Sequence, residues 1–366
     1  MHIILVFTYG ISLKNWDESG ILHREIKLYK TMNEQNGINY TFVTFGDKED
    51  EEYSDLIDGL KIIPIYKSQK KSKYKIIDLI RTISITKNIV KTIKEPTYIK
   101  TNQLNGAWVA MMIKLYSKLP LYVRTGYNLF EFAIREKKSF MKKIFYYMLT
   151  QIALIYSNNY SVTSLSDKKF LEKYFITKKI EVIPNWVVDT KENSFENRYE
   201  NKIISVGRLE AQKNYESLIK SLSGTNIQID IVGEGTEKSS LETLSINSKT
   251  NLSFLGRLSH SELNELYLNY RIFVLSSNFE GNPKVVLEAM SRGVLVIARR
   301  NKNIEEIIEN NHDGIIFDNS SEILSLVESF LDNKAEWERI VLNGYKKVKN
   351  NNLIDSIVHK EKEIYS

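Results

Sequence analysis

The stretch SNFEGNPKVVLEAMSRG, residues 277–293, decides the reading of this 366-residue chain. The apolar run just before it, residues 272–275, reads as a short buried strand, and residues 276–281 form its exit loop. Asn282 suits a helix N-cap, Pro283 the first helical position and Gly293 the residue that stops the helix. Glu280 is thereby expected in a loop at the carboxyl end of a strand, where open parallel sheets bind ligands. Glu288 falls about 7.5 Å along the helix from Pro283. Helical side chains lean toward the N-terminus, so Glu288 points back at that loop. Between the two carboxylates lie the N–H groups of a first helical turn, which have no partner within the helix and suit a phosphate. A phosphate would then be flanked by two acceptors for sugar hydroxyls. Two surface glutamates beside an ordinary turn would give the same string, so the weight comes from its context.

About 70 residues upstream, IISVGR (203–208) reads as a β-branched strand ending in Gly207, and EAQKNY (210–215) leads into a helix with apolar Leu218, Ile219 and Leu222. Arg208 and Lys213 share that strand-to-helix loop and are expected to be exposed. Each could interact with a diphosphate by roughly 4 kcal/mol at about 4 Å and an effective dielectric near 20, before desolvation. Between the two strings, IDIVGEGTEKSSLE (229–242) reads as strand, tight turn, helix. NLSFLGRL (251–258) reads as an edge strand and turn.

Taken in order, these strings resemble one family. EGNPKVVLEAM followed by a glycine and VLVIA is similar to the E-x7-E region of family-4 retaining glycosyltransferases of GT-B fold, and VGRLEAQKN is similar to their G-R-x-x-x-x-K-N segment. The resemblance implies that Glu280 contacts the transferred sugar, Glu288 binds the nucleotide ribose, and Arg208 and Lys213 hold the leaving diphosphate. Glu280, Arg208 and Lys213 are the implied catalytic set. The implied donor-binding set adds Gly256, Arg257 and Leu258, which would border the base, with Gly281, Asn282, Pro283, Lys284 and Val285 at the helix start. VIPNWVVDT (182–190) resembles the family's interdomain V-I-P-N-G-V-D segment, but Trp186 replaces a glycine that could take positive φ. The string around Asn282 does not carry over the choice of sugar.

Strand-like and helix-like segments alternate along the chain, which implies parallel α/β sheets. Strands are expected near residues 3–7, 40–45, 61–65, 97–101, 121–124 and 160–163, then 202–206, 228–232, 252–255, 272–275, 294–298 and 314–317. The expected fold is α/β, GT-B type: two Rossmann-like domains facing across a cleft, with a C-terminal helix returning to the first. The domains are read as 1–187 for the acceptor, 188–201 as a polar linker, 202–350 for the donor, and 351–366 as the returning helix.

Hydrophobic residues make up 42% of the chain, enough for two cores. With no cysteine it has no disulfide, thiolate metal site or cysteine nucleophile, and an intracellular setting is expected. His2, His23, His260, His312 and His359 are scattered without metal-ligand spacing, so no metal or cofactor is expected. HIILVF at 2–7 reads as a strand rather than a targeting signal. The longest apolar segment, 144–156, is too short to span a membrane and is read as a buried helix.

Residues 1–187 hold 29 Lys and Arg against 18 Asp and Glu, net +11, whereas the remainder holds 22 against 27, net −5. The basic excess concentrates at 61–94 and 135–149, interleaved with Ile, Phe and Tyr. It reads either as solvated faces or as attraction to an anionic acceptor or a membrane surface. No nucleic-acid recognition motif accompanies it. Acceptor-side candidates are Trp16, Gly20 and Arg24 in and after the loop at 8–20, and Arg124 and Tyr127 at 124–130. The expected partners are a nucleotide-diphosphate sugar and a glycan or polyprenyl-linked acceptor. The expected place is the cytoplasm, at the inner face of its membrane. An inactive nucleotide-sugar-binding scaffold, a GT-B sugar-nucleotide epimerase and a phosphorylase are the competing readings.

Overall fold

The computed structural model describes residues 1–68, 71–189 and 196–365. They form two compact units, Met1–Pro184 with Ile357–Ser366, and Asn185–Ser356. Of the stretch expected as a linker, residues 190–195 lie outside the described residues. Arg198 within it is buried and donates to the carbonyls of Tyr270 (2.7 Å) and Arg292 (2.8 Å), which fastens this part of the stretch to the second unit.

The first unit holds seven parallel strands: β1 (His2–Val6), β2 (Asn39–Thr44), β3 (Lys61–Pro64), β4 (Thr97–Thr101), β5 (Leu121–Thr125), β6 (Asn159–Val162) and β7 (Ile180–Val182). Their order is β3-β2-β1-β4-β5-β6-β7. Six match expected strands, and β7 is additional. The second unit holds β8 (Tyr199–Val206), β9 (Gln228–Val232), β10 (Asn251–Gly256), β11 (Tyr270–Leu275), β12 (Leu295–Arg299) and β13 (Ile315–Phe317), also parallel, in the order β10-β9-β8-β11-β12-β13.

The reason for the continuous apolar runs is visible in β11 and β12. Ile272, Val274, Leu295 and Ile297 pack on one face of the sheet with Leu218, Ile219 and Trp337. Phe273, Leu275, Val296 and Ala298 pack on the other with Val286, Leu287 and Met290. Side chains alternate along a strand, so a sheet covered on both faces needs apolar residues at every position.

From Ile357 the final helix (Ile354–Glu363) belongs to the first unit. Its Glu361 is fully buried and pairs with Lys100 on β4 and, at 3.4 Å, with Arg124 on β5. Tyr365 donates its hydroxyl to the same carboxylate at 3.1 Å.

The helix Phe140–Tyr156 departs from the expected buried element. Leu149, Ala153 and Leu154 face the core, but Met141, Ile144, Phe145, Met148, Ile152 and Ile155 are exposed. A predominantly apolar run does not reveal that one of its faces has nothing packed on it. Among the described residues, no helix is long and apolar enough to cross a membrane.

Candidate active site

In the second unit, strand order reverses between β8 and β11: β9 and β10 extend to one side of β8, while β11 to β13 extend to the other. Open parallel sheets bind ligands outside the carboxyl ends of the strands at such a point. The two loops there carry the residues singled out by sequence.

Hydrogen bonds stitch these loops together. The Asn278 amide donates to the Gln212 carbonyl (2.9 Å), Gln212 Nε2 to the Phe279 carbonyl (2.9 Å), and Ser276 Oγ to the Lys213 carbonyl (2.9 Å). Asn214 adopts φ 52°, in the left-handed region that asparagine tolerates well, so the chain turns directly from Lys213 into the helix Tyr215–Ser221. The result is an ion pair, Lys213 Nζ to Glu280 Oε1 at 2.6 Å, with side chains only 13% and 8% exposed. Asn303 Nδ2 donates to the Glu280 carbonyl at 2.8 Å and fixes the backbone beneath the carboxylate.

The two expected cations therefore differ. Arg208 is 71% exposed and interacts with Glu210 at 3.1 Å. Lys213 is not the exposed loop cation expected from sequence, because its tether to β11's exit loop draws it under cover.

Gly233 and Gly235 acquire a definite reason. A Cβ at Gly233 would lie 2.1 Å from the Gly207 carbonyl oxygen, and one at Gly235 would lie 2.4 Å from that of Leu209. The glycines let the β9 exit loop press on the loop bearing Arg208, where Leu209 N donates to the Glu234 carbonyl at 2.9 Å.

The helix Lys284–Ser291 starts one residue later than expected. Pro283, with φ −73° and ψ 110°, is its N-cap, so Asn282 stands outside the helix and Pro283 is not its first residue. The proline ring fixes φ without requiring helical ψ. Pro283 offers no side-chain acceptor, so the first turn lacks a side-chain cap. Gly281 and Pro283 are buried, Asn282 is half-buried, and Asn185 Nδ2 donates to the Asn282 carbonyl at 2.6 Å. Val285 packs against the core. Gly293 has φ 66° and ends the helix as expected.

Glu288 is almost fully buried in a helix whose neighbouring residues are core, and His260 Nε2 stands 3.5 Å from its Oε1. Sequence reading left His260 among the scattered histidines. The available signal was the capping box Ser259-His260-Ser261-Glu262, which starts a helix at His260 and fixes the direction it faces. Trp186 was a second surprise. It needs no positive φ, is buried, and lies beneath the Lys284 ammonium, 4.1 Å from its ring centroid. A cation beside the helix start is thereby held by an aromatic face.

Gly256 takes φ 69° at the end of the edge strand β10, and Arg257 meets Glu234 at 3.5 Å. Leu258 packs on the core formed by the helix Lys284–Ser291 and its neighbours. Glu309, His312 and Asp313 lie close enough to hold an ion, but they precede β13, at the opposite end of the sheet from the loops above. Lys347 Nζ already neutralises Asp313 at 2.6 Å.

In the first unit the order reverses between β1 and β4. The segments that flank this point follow β1, carrying Trp16 and Gly20, and β4, carrying Asn102 and Gln103. Trp16 stacks on Phe7 with ring centroids 4.4 Å apart. Gly20 takes φ 71°, closing the turn between two helices, and Arg24 contacts Glu25 at 3.2 Å. Tyr127 lies against Phe132. Arg124 is a correction: it is buried, bound to Glu361 and to the carbonyls of Ile183 (3.2 Å) and Pro184 (3.3 Å), and so braces the final helix instead of facing an acceptor.

Comparison with known proteins places this geometry. A family model described as glycosyl transferases group 1 matches residues 189–347. Most of the second unit is therefore similar to the group 1 glycosyltransferases. A relative from Campylobacter jejuni, an alpha-1,4-N-acetyl-D-galactosaminyltransferase named for a diNAcBac-PP-undecaprenol-linked acceptor, is 25% identical over 256 residues, 67% of each chain. The amylovoran biosynthesis glycosyltransferase AmsD of Erwinia amylovora is 26% identical over 58% of this chain and 60% of its own length. The Anabaena protein HepE, solved with UDP and glucose, superposes with a TM-score of 0.76 at 14% identity, covering 99% of this chain and 98% of its own. The fold is GT-B. The chain is a glycosyltransferase with relatives in bacterial polysaccharide biosynthesis.

Proposed function

We propose that this glycosyltransferase retains anomeric configuration and moves a sugar from a nucleotide-diphosphate donor to a glycan or polyprenyl-linked acceptor, in bacterial surface polysaccharide or glycolipid assembly. The observation that carries the reading is the Lys213–Glu280 pair, held at the point where strand order reverses and beside a helix start without a side-chain cap. HepE's bound UDP and glucose support the donor class, and the undecaprenol-linked acceptor named for the Campylobacter relative supports the acceptor class.

In this reading Arg208, Lys213 and the backbone N–H groups of Gly281, Asn282 and Lys284 stabilise the diphosphate as its bond to the anomeric carbon breaks, Pro283 having none to offer. The acceptor hydroxyl bonds to that carbon on the same face, and its proton passes to a leaving phosphate oxygen. Glu280 orients the sugar and supports its developing positive charge, and Glu288 binds the ribose. Gly256, Arg257 and Leu258 border the base. Trp16, Gly20, Arg24 and Tyr127 remain the acceptor-side candidates, and the working place is the inner face of the cytoplasmic membrane.

The deciding experiment is a donor panel in which nucleotide diphosphate release is followed with and without glycan and lipid-linked acceptors. Release under no combination would favour a scaffold. Glu288→Ala should weaken donor binding about 100-fold, from two charge-assisted hydrogen bonds of roughly 1.5 kcal/mol each. Calorimetric titration of a folded variant with unchanged affinity would refute the ribose assignment. Activity should also survive a chelator, because side chains and a helix start supply the positive potential; strict dependence on a divalent ion would contradict this mechanism.

A further inference from the structure

The helix Phe140–Tyr156 carries an exposed apolar stripe in the first unit. Met141, Ile144, Phe145, Met148, Ile152 and Ile155 are each between 42% and 74% exposed. They recur at helical spacing along about 21 Å of axis, so they line one face. The stripe continues onto Ile176, whose amide and carbonyl are bracketed by the Gln151 side chain at 3.0 and 2.9 Å. Scattered exposed apolar side chains are ordinary, but a contiguous row marks a surface that something covers.

Charge identifies the occupant. The helix contains no Asp or Glu. Lys142 projects from it, and Lys178 beside it donates to the Ile155 carbonyl at 2.8 Å. Lys137 lies exposed just before it, and Lys138 beside it pairs with Glu136 at 3.2 Å. A second copy docked here in an isologous dimer would set one cationic rim against another, which like charges disfavour. An anionic bilayer meets both features, the lysines at its headgroups and the stripe at the acyl boundary.

We propose that this helix lies in the interface of an anionic membrane, with its outer stripe inserted. The inference deepens the membrane-side reading above, and its test needs no donor or acceptor, so either can fail alone.

The test is sedimentation of the full chain with phosphatidylglycerol-containing or pure phosphatidylcholine vesicles, at low and high salt. The wild type should pellet with the anionic vesicles and keep a salt-resistant fraction. The triple change Met141→Ser, Phe145→Ser, Ile152→Ser should lower the partition coefficient at least about tenfold with little change in melting temperature, since these side chains are already in water. Lys142→Glu with Lys178→Glu should remove the salt-sensitive part. Should the triple variant fold poorly, Phe145→Trp gives an independent reading: its emission should shift blue on vesicles and be quenched by lipids brominated in their acyl chains. An unquenched tryptophan, triple-variant binding equal to wild type, or absence of vesicle binding overturns the proposal. So does a wild-type dimer that the triple change dissociates while vesicles are ignored.

Discussion

Glu280→Gln will lower turnover about 100-fold while changing donor affinity only several-fold. The substitution keeps an oxygen that can accept from Lys213, now 2.6 Å away, so the stitched loops should hold their geometry. What disappears is the negative charge proposed to face the anomeric carbon as the leaving diphosphate departs, and removal of one such electrostatic group commonly costs 10² to 10³ in rate. Binding of the ground-state donor does not call on that charge to the same degree. Single-turnover kinetics beside equilibrium titration separates the two quantities. Retained turnover with poor donor binding would reverse the roles assigned to Glu280 and Glu288. Lys213→Ala should also impair turnover, and the double variant should lose less than the product of the two single losses, because each side chain holds the other.

The loops that carry Arg208, Lys213 and Glu280 were legible because their signals are local. A β-branched run, a glycine, two cations and an asparagine able to turn the chain follow one another in IISVGRLEAQKN (203–214), and the fold puts the run in β8 and the rest in its exit loop. Parallel architecture was legible for the same reason, as strands buried on both faces announce themselves as continuous apolar runs. The pairings across sequence were hidden. Glu361 meets Arg124 across 237 residues, and nothing near either position forecasts it. His260 reaches Glu288 only because separate elements bring two helices side by side. β7, IEV, is three residues long with a glutamate at its centre, so it lacks the apolar run that marks the equally short β13, IIF. The outer stripe of the helix Phe140–Tyr156 escapes the sequence because both of its faces carry apolar residues, so composition does not distinguish the packed face from the open one.

The Glu361 carboxylate should give the largest stability effect of any single substitution here. Burial alone would push its pKa up, but Lys100 and Arg124 outweigh burial, and hydrogen bonds from Lys100 and Tyr365 add to them, so the carboxyl is held below its ordinary range. Its contribution is therefore present above the unfolded carboxylate pKa and lost as pH falls through the lower folded value. Glu361→Ala leaves two buried cations without their anion, a change that typically costs about 3–5 kcal/mol. Thermal unfolding should move down by on the order of 10 °C, and the final helix should become the first segment cut in limited proteolysis. Lys100→Met should be milder, since it leaves Glu361 with Arg124 and replaces the buried amine by an apolar chain of similar length. The variant's acid unfolding limb should also flatten relative to wild type, because the group that titrates there is gone. Equal melting temperatures for wild type and Glu361→Ala would mean that the network is neutral in sum and that apolar packing of Ile357 and Val358 alone holds the helix.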